Sequence, residues 1–162
     1  MLSIIKNSKL LTLALLALLA FTACETEYVN PNAPTDAQIL STREGLLNLA
    51  VGVRQVYSTS GVRWLVETPA ITTREGAITT TFQNMIELED GGVDLPDFNS
   101  NVEGLWSTML RVNQMSTDII NNATVVDLEA GTEAGLIVFA HLFKAMSIGA
   151  LAQHYDQVII ET

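Results

Sequence analysis

Apolar residues recur at three- and four-residue intervals after residue 40, which predicts an amphipathic helix. Two capping-box patterns, Thr35-Asp36-Ala37-Gln38 and Ser41-Thr42-Arg43-Glu44, indicate that this helix begins near one of them. The turn-forming residues 58–61 predict its end. The apolar positions that share one helical face are Leu46, Leu49, Ala50, Val53 and Tyr57.

A second amphipathic helix is predicted to begin at the capping box Ser100-Asn101-Val102-Glu103 and to end near Asn121-Asn122. Trp106 lies in its apolar stripe, so we expect that indole to pack in the core. Between the two helices, residues 61–82 are expected to form a loop with a short helix, and residues 87–101 a loop. The other stripe residues are Val102, Leu105, Met109, Val112, Met115, Ile119 and Ile120.

A third helix is predicted from near Thr132 to about Ala152, and it is apolar around almost its whole circumference. Such a helix is either deeply buried or inside a membrane. Burial is favoured because Lys144 and His141 lie at its middle, and a central lysine costs roughly 2.5–3.5 kcal/mol in membrane insertion. His141 is therefore expected to be a core residue. Two amphipathic helices are too few to surround this helix, so we expect a truncated chain whose further sequence, or another subunit, covers it.

The first 23 residues have the three parts of a lipoprotein signal peptide. Lys6 and Lys9 give a positive start, and residues 10–21 form an apolar run that is short for a bilayer span. Phe21-Thr22-Ala23 then precedes Cys24, with Phe21 where such peptides usually have Leu, Val or Ile. Because Cys24 is the only cysteine and lies where lipidation requires it, we predict that it carries the lipid anchor. The alternatives are a stray thiol and a retained signal anchor.

The predicted mature protein begins with a polar segment, residues 24–34, that contains two prolines and is interpreted as an extended tether. The helical domain is assigned to residues 35–162. The chain has 8 basic and 18 acidic residues, and the leader takes two lysines and no acid, so the remainder has a formal charge of −12. That charge argues against nucleic-acid binding, which depends on cationic contacts. A hydrophobic fraction of 48% argues against disorder throughout.

Several motifs occur along the chain in the order found in one family. They are Cys24, the tether Asn30-Pro31-Asn32-Ala33-Pro34-Thr35, a first helix with Gly45 and Gly52-Val53-Arg54-Gln55-Val56-Tyr57, then Leu105-Trp106 with Asn113 and Ile119-Ile120-Asn121, and finally Glu133-Ala134 opening a helix that ends in His154-Tyr155-Asp156-Gln157-Val158. In this order the chain resembles the N-terminal third of the SusD-like (RagB/SusD) family of outer-membrane lipoproteins. Three positions depart from the family pattern, at Phe139-Ala140, Leu110 and Ile159 or Ile160.

The resemblance implies an all-α fold, here a partial scaffold of tetratricopeptide-type helix pairs. It implies a lipid-anchored protein at the surface of the outer membrane that binds a nutrient, usually a glycan. It further implies delivery of that nutrient to a SusC-like TonB-dependent transporter, without enzymatic activity and without a cofactor. Each of these properties is an expectation from the family and not from composition or spacing.

Sugar binding needs an exposed aromatic face with amide or acid groups nearby. Trp64, Phe82 with Gln83 and Asn84, and Phe98 with Asn99 lie in the less regular segments. The candidate ligand residues are therefore Trp64, Phe82, Asn84 and Phe98, although a packing role is the favoured interpretation of each aromatic residue. The acids of residues 87–97 are interpreted as a solvated loop, with a calcium site as the alternative. His154 is expected to lie at a helix end.

No Gly-x-Ser-x-Gly nucleophile elbow and no zinc-ligand set is apparent in the sequence, so no catalytic or metal-binding residues are assigned. The alternative to nutrient capture is a complete small helical lipoprotein whose third helix binds another protein. A hydrolase is the third reading, and it would need acid–base pairs that the sequence does not place.

Overall fold

The computed structural model of the chain describes residues 35–158. Of these residues, 77% lie in helices and none in a strand, which confirms the all-α prediction. The predicted signal peptide, Cys24 and the tether lie outside the described residues. The elements in chain order are α1 Asp36–Leu40, α2 Arg43–Val56, a π-helical turn Tyr57–Gly61, α3 Val62–Thr72, α4 Gln83–Asp90, a 3-10 turn Gly92–Asp94, α5 Ser100–Ala123 and α6 Ala130–His154.

The cap of α2 is Thr42, the residue after the one that the capping box predicted. Its Oγ1 accepts a hydrogen bond from the Gly45 amide at 3.1 Å and donates to the Gln38 carbonyl at 3.0 Å. The same hydroxyl therefore begins α2 and ties α1 to it. A Cβ at Gly45 would collide with the carbonyl oxygen of Ile39, so glycine is required for α1 to fold back on α2.

The prediction that the first helix ends at residues 58–61 was wrong, because the helix continues through a π-helical turn into α3. The Thr59 hydroxyl donates to the Gln55 carbonyl at 2.7 Å, and the Val62 amide reaches back five residues to the Tyr57 carbonyl. A threonine hydroxyl that donates to the carbonyl four residues earlier competes with the backbone amide for that acceptor. Such competition often distorts a helix locally, and a single π-helical turn is one form of distortion. Gly61 is buried there, and its Cβ would lie 3.0 Å from the Met109 methyl carbon, so this glycine permits packing rather than a turn.

The predicted loop over residues 87–101 was wrong in part. Residues 87–90 form the second half of α4, and α5 already begins at Ser100. The chain leaves α4 at Gly91 and Gly92, whose φ angles of 61° and 58° lie in the left-handed region that favours glycine. The cap of α5 is Asn99, not Ser100, because its side chain accepts from the Asn101 amide at 3.0 Å.

Helices α5 and α6 form the central pair and run antiparallel. The first turn of α5 meets the chain just after α6, where the Tyr155 hydroxyl donates to the Val102 carbonyl at 2.6 Å. At the other end, Ile119 and Leu136 share a buried cluster with Leu46 and Val53 of α2. A second cluster of Leu105, Met109, Ala150 and Leu151 includes half-buried Trp106, whose ring contacts Tyr155 edge-on at 4.9 Å. The predicted packing role of Trp106 is confirmed.

The covered face of α6 is built largely from small residues. Ala140, Ser147 and Ala150 are buried against α5, which contributes the larger side chains Leu105, Met109 and Val112. Small side chains on one helix let its backbone approach the other closely. The Ser147 hydroxyl is satisfied by donating to the Lys144 carbonyl at 2.9 Å.

The opposite face of α6 is apolar and uncovered in the part of the chain that the structure describes. Val138 and Leu142 are 68% and 56% exposed, and no side chain lies where a Cβ would stand at Gly131, Gly135 or Gly149. His141 lies on this exposed face, so its predicted place in the core was wrong. Among the helices of residues 35–158, α6 is long and apolar enough to cross a membrane. Core helices of soluble proteins can have the same length and composition.

Gly104 on α5 is where Trp64 of α3 packs. A Cβ there would lie 2.7 Å from Cζ2 and 2.8 Å from Cε2 of the indole, so Gly104→Ala must displace the ring. We expect this overpacking to lower the free energy of unfolding by about 1–3 kcal/mol, measured by urea denaturation. Gly149→Ala on α6 is the matched control, because its Cβ meets open space. That substitution is expected to be neutral or to stabilise the helix by up to ~1 kcal/mol.

Candidate ligand-binding surface

Two of the four candidate ligand residues present their rings to solvent. Phe82, the residue before α4, is 70% exposed, and Phe98, two residues before α5, is 77% exposed. Asn84 and Trp64 are half-buried. Single exposed apolar side chains are common on protein surfaces, so exposure makes each ring available to a ligand without by itself marking a site.

Buried amide groups bring the segments of Phe82, Asn84 and Phe98 together. The Asn99 Nδ2 group donates to the Asn84 carbonyl at 2.9 Å and to Glu87 Oε2 at 3.0 Å. The Asn101 Nδ2 group donates to the same Asn84 carbonyl at 3.2 Å. Both asparagines are only 2% exposed, so these bonds form away from competing water. The start of α4 is thereby fixed to the start of α5.

Trp64 reaches the same end of α5 from α3. Its ring lies on Gly104, one helical turn beyond Asn101, and the Arg63 guanidinium carbon lies 4.8 Å from the centre of the indole. Arg63 also pairs with Glu67 at 2.8 Å, and this pairing raises the pKa of its guanidinium. With one side against α5 and a cation above it, Trp64 is placed mainly as a packing residue. We use the name α5-entry surface for Phe82, Asn84 and Phe98, with Trp64 at its margin.

The acids near this surface act as hydrogen-bond acceptors. Glu87 accepts from Asn99 through one carboxylate oxygen and from Gln83 Nε2, at 3.1 Å, through the other. Across residues 35–158 the structure contains no group of three His, Cys, Asp or Glu side chains arranged to hold a metal ion. The amide nitrogens of Asn99 and Asn101 and both Glu87 oxygens are thus bonded within the protein. The chemistry left for a ligand at the α5-entry surface is stacking on the exposed Phe82 and Phe98 rings and hydrogen bonding to the half-buried Asn84 side chain.

Both histidines of the described residues lie on α6, outside any metal-ligand group. His154 ends α6, as expected, and its Nδ1 lies 2.7 Å from the Ala150 carbonyl oxygen. Tyr155 follows it, and burial raises the pKa of its phenol to about 12, so the hydroxyl keeps the proton that it donates to Val102 at neutral pH.

Sequence reasoning missed the two asparagines that organise the surface. Asn99 was noticed only as a polar neighbour of Phe98, and Asn101 only as part of a capping box. The available signal was an Asn-x-Asn pattern at a helix start, where one amide caps the helix and leaves its nitrogen free to donate elsewhere. The acceptor is the backbone carbonyl of Asn84, 15 residues away from Asn99, and no sequence pattern predicts which carbonyl accepts this bond.

Comparison of the chain with models of known protein families, with curated proteins and with solved structures finds no match.

Proposed function

We propose that this protein is a lipid-anchored, cell-surface nutrient-binding protein of the SusD type, and that the α5-entry surface contacts a glycan. The observation that supports this proposal is the pair of rings at Phe82 and Phe98, which are 70% and 77% exposed beside buried amides that fix their segments. The proposal adds to that observation the family resemblance of the sequence.

Exposed rings on a fixed junction suit a sugar ligand for two physical reasons. The apolar face of a pyranose ring loses contact with water when it lies on an aromatic ring, and nearby polar groups can bond the hydroxyls. The junction between α4 and α5 is already ordered by Asn99 and Asn101, so less conformational entropy is lost on binding. An acidic protein of this kind favours neutral over anionic saccharides.

Lipidation at Cys24 would hold this surface at the outer membrane. A single acyl chain binds a membrane only marginally, whereas several chains together hold a protein firmly. Residues 25–34 would then act as a spacer between the anchor and α1, and the partner that receives the nutrient would be a SusC-like TonB-dependent transporter.

The helical elements would form the first part of a tetratricopeptide-type scaffold. In such arrays each helix pair leaves an apolar face that the next helices cover. The uncovered face of α6, with Val138 and Leu142, has the composition that this packing requires. We propose that further helices cover it in the assembled scaffold.

The test of glycan capture is binding of maltohexaose, xylohexaose and laminarihexaose to the full chain in detergent, measured by isothermal titration calorimetry. We expect one of these probes to bind and Phe82→Ala or Phe98→Ala to weaken binding about tenfold, the effect of losing roughly 1.4 kcal/mol of ring contact. Val93→Ala is the matched control, because Val93 is a fully exposed apolar residue of the same connection without a ring. Equal binding by the phenylalanine variants and the control would refute the assignment of this surface.

The uncovered face of α6 also favours a second candidate, a small helical lipoprotein that binds a protein partner through α6. The two candidates separate on one pair of variants. Phe82→Ala with Phe98→Ala would weaken glycan binding in the first case and leave partner binding through α6 unchanged in the second.

A further inference from the structure

Residues 77–82, which connect α3 to α4, form an extended segment in a mostly helical protein. They contain neither a turn nor a bend, and the Phe82 backbone is extended, with φ −68° and ψ 125°. Side-chain exposure alternates along the segment, with residues 77, 79 and 81 exposed and residues 78 and 80 half-buried. Alternation with a period of two is the pattern of a β-strand that lies with one face against a protein.

The backbone of residues 77–81 is unpaired. None of their N–H or C=O groups forms a hydrogen bond with another residue of the described chain. A side chain makes the contact that these residues do have, since the Thr80 hydroxyl accepts from the Phe82 amide at 3.3 Å. An extended segment in this state presents the same row of free donors and acceptors as the edge strand of a sheet.

The composition of this segment is typical of a strand and not of a loop. It reads Ala-Ile-Thr-Thr-Thr-Phe, so β-branched and aromatic residues dominate, and the usual loop residues glycine, proline, asparagine and aspartate do not occur. It also carries no charged side chain. Edge strands that stay unpaired are usually protected by a lysine, a proline or a bulge, and this segment has neither lysine nor proline.

The two edges of the segment are not equivalent. The N–H and C=O groups of alternate residues of a strand lie on the same edge, so residues 77, 79 and 81 share one edge and residues 78, 80 and 82 share the other. On the second edge Phe82 is already engaged. Its amide bonds the Thr80 hydroxyl, and its carbonyl accepts from the Met85 and Ile86 amides at 3.0 and 3.2 Å. The first edge therefore has the longer row of free backbone groups.

We propose that the edge formed by Ala77, Thr79 and Thr81 binds an extended, basic peptide strand of another protein, which pairs with it as an added β-strand. The chain has 18 acidic and 8 basic residues, a formal charge of −10. Long-range attraction therefore favours a basic partner and opposes a second copy of this chain. The binding is independent of the proposed glycan capture, because backbone groups carry it and the rings of Phe82 and Phe98 do not.

The test uses a capped peptide of threonines with a lysine at each end, titrated at low salt into the full chain in zwitterionic detergent micelles. Backbone NMR shifts give the affinity. At saturation we expect the amides of Ala77, Thr79 and Thr81 to exchange with solvent about tenfold more slowly, and those of Ile78 and Thr80 to be unchanged. Glutamates in place of the two lysines are expected to weaken binding about threefold or more. N-methylation of two adjacent central amides of the peptide, one on each edge, is expected to abolish binding.

Two proline variants identify the edge that pairs. Thr79→Pro removes the central N–H of the proposed edge and is compatible with an extended backbone, so it is expected to weaken peptide binding about tenfold or more. Thr80→Pro is the matched control, because it places the same ring on the opposite edge. It is expected to keep the wild-type affinity, as is Thr79→Val, which keeps the backbone and loses only the hydroxyl.

Four results would overturn the proposal. They are no saturable binding of the lysine peptide, equal binding by the glutamate peptide, exchange protection that does not fall on residues 77, 79 and 81, and equal affinities of Thr79→Pro and Thr80→Pro. Concentration-dependent self-association that Thr79→Pro abolishes would assign the edge to a second copy of the chain, and this would also overturn the proposal. Glycan binding by Phe82→Ala and Phe98→Ala is measured separately, so the two proposals can fail independently.

Discussion

Under the proposed lipidation, replacing Cys24 by alanine is expected to abolish fatty-acid labelling of the protein and to release it from membranes. The thiol is the only one in the chain, so no other side chain can take the diacylglycerol thioether. Loss of several acyl chains removes the main contribution to membrane affinity, because each buried CH₂ contributes about 0.8 kcal/mol. The measurement is incorporation of labelled palmitate in cells, followed by membrane fractionation.

The matched control is Thr22→Ser, which changes the residue two positions before the cysteine and keeps a small side chain. It should be labelled like the wild type. If Cys24→Ala is still labelled, the lipid is attached elsewhere and the anchor assignment is wrong. If it is unlabelled yet stays in the outer membrane, the protein is held there by something other than lipid.

A pair of aspartate substitutions two residues apart on α6 is expected to differ sharply in stability. Leu136 is 5% exposed and lies in the cluster shared with α2 and α5, whereas Val138 is 68% exposed. Leu136→Asp buries an unpaired carboxylate and removes a core side chain, so the loss is expected to be about 4 kcal/mol or more. Since domains are stable by only about 5–15 kcal/mol, a loss of this size removes about a quarter to four fifths of the folding free energy.

In the isolated 162-residue chain, Val138→Asp places the same charge where solvent reaches it and should change the free energy of unfolding by less than about 0.5 kcal/mol. Both variants are measured by urea denaturation of the full chain in detergent. Equal destabilisation by the two substitutions in this isolated chain would mean that its own residues cover the Val138 face, and the described orientation of α6 would be wrong. Equal tolerance would mean that the Leu136 face is not packed.

The long helices were predicted well because their patterns are long. Helix α5 was expected from the Ser100 capping box to about Asn122 and is found at Ser100–Ala123; α6 was expected from about Thr132 to Ala152 and is found at Ala130–His154. Many periodic positions agree in such segments, so errors at one position matter little. The caps Thr42 and Asn99 each lie one residue from the predicted one, since adjacent polar residues can serve equally.

The π-helical junction was not predicted because a glycine can either end a helix in a turn or allow close packing within a helix. At Gly61 the sequence suggested a turn, but the structure uses the missing side chain to admit the Met109 methyl group. Only the tertiary contact distinguishes the two uses. Helix α4 was not predicted because its acidic residues near Gly91-Gly92 suggested a loop. In the structure its one fully buried side chain, Leu88, lies near residues of α3 and α5.

The covered face of α6 could not be predicted from hydropathy. Its apolar residues surround the helix, so no stripe marks the inner side. The structure buries Ala140, Ser147 and Ala150 because small residues admit α5, and this leaves His141 and Leu142 outside. At the candidate site, packing was the favoured interpretation of Phe82 and Phe98, and the structure instead leaves both rings exposed. The amide bonds to the Asn84 carbonyl are long-range contacts without a local pattern.

The central proposal is that a lipid-anchored helical protein delivers a nutrient to a transporter in the outer membrane. The most direct measurement is cross-linking in intact cells, purification of the lipidated chain from outer membranes, and mass spectrometry of what is bound to it. We predict a TonB-dependent transporter in amounts comparable to the chain, and its loss with Cys24→Ala. Recovery of the lipidated chain from outer membranes without any such transporter would contradict the account.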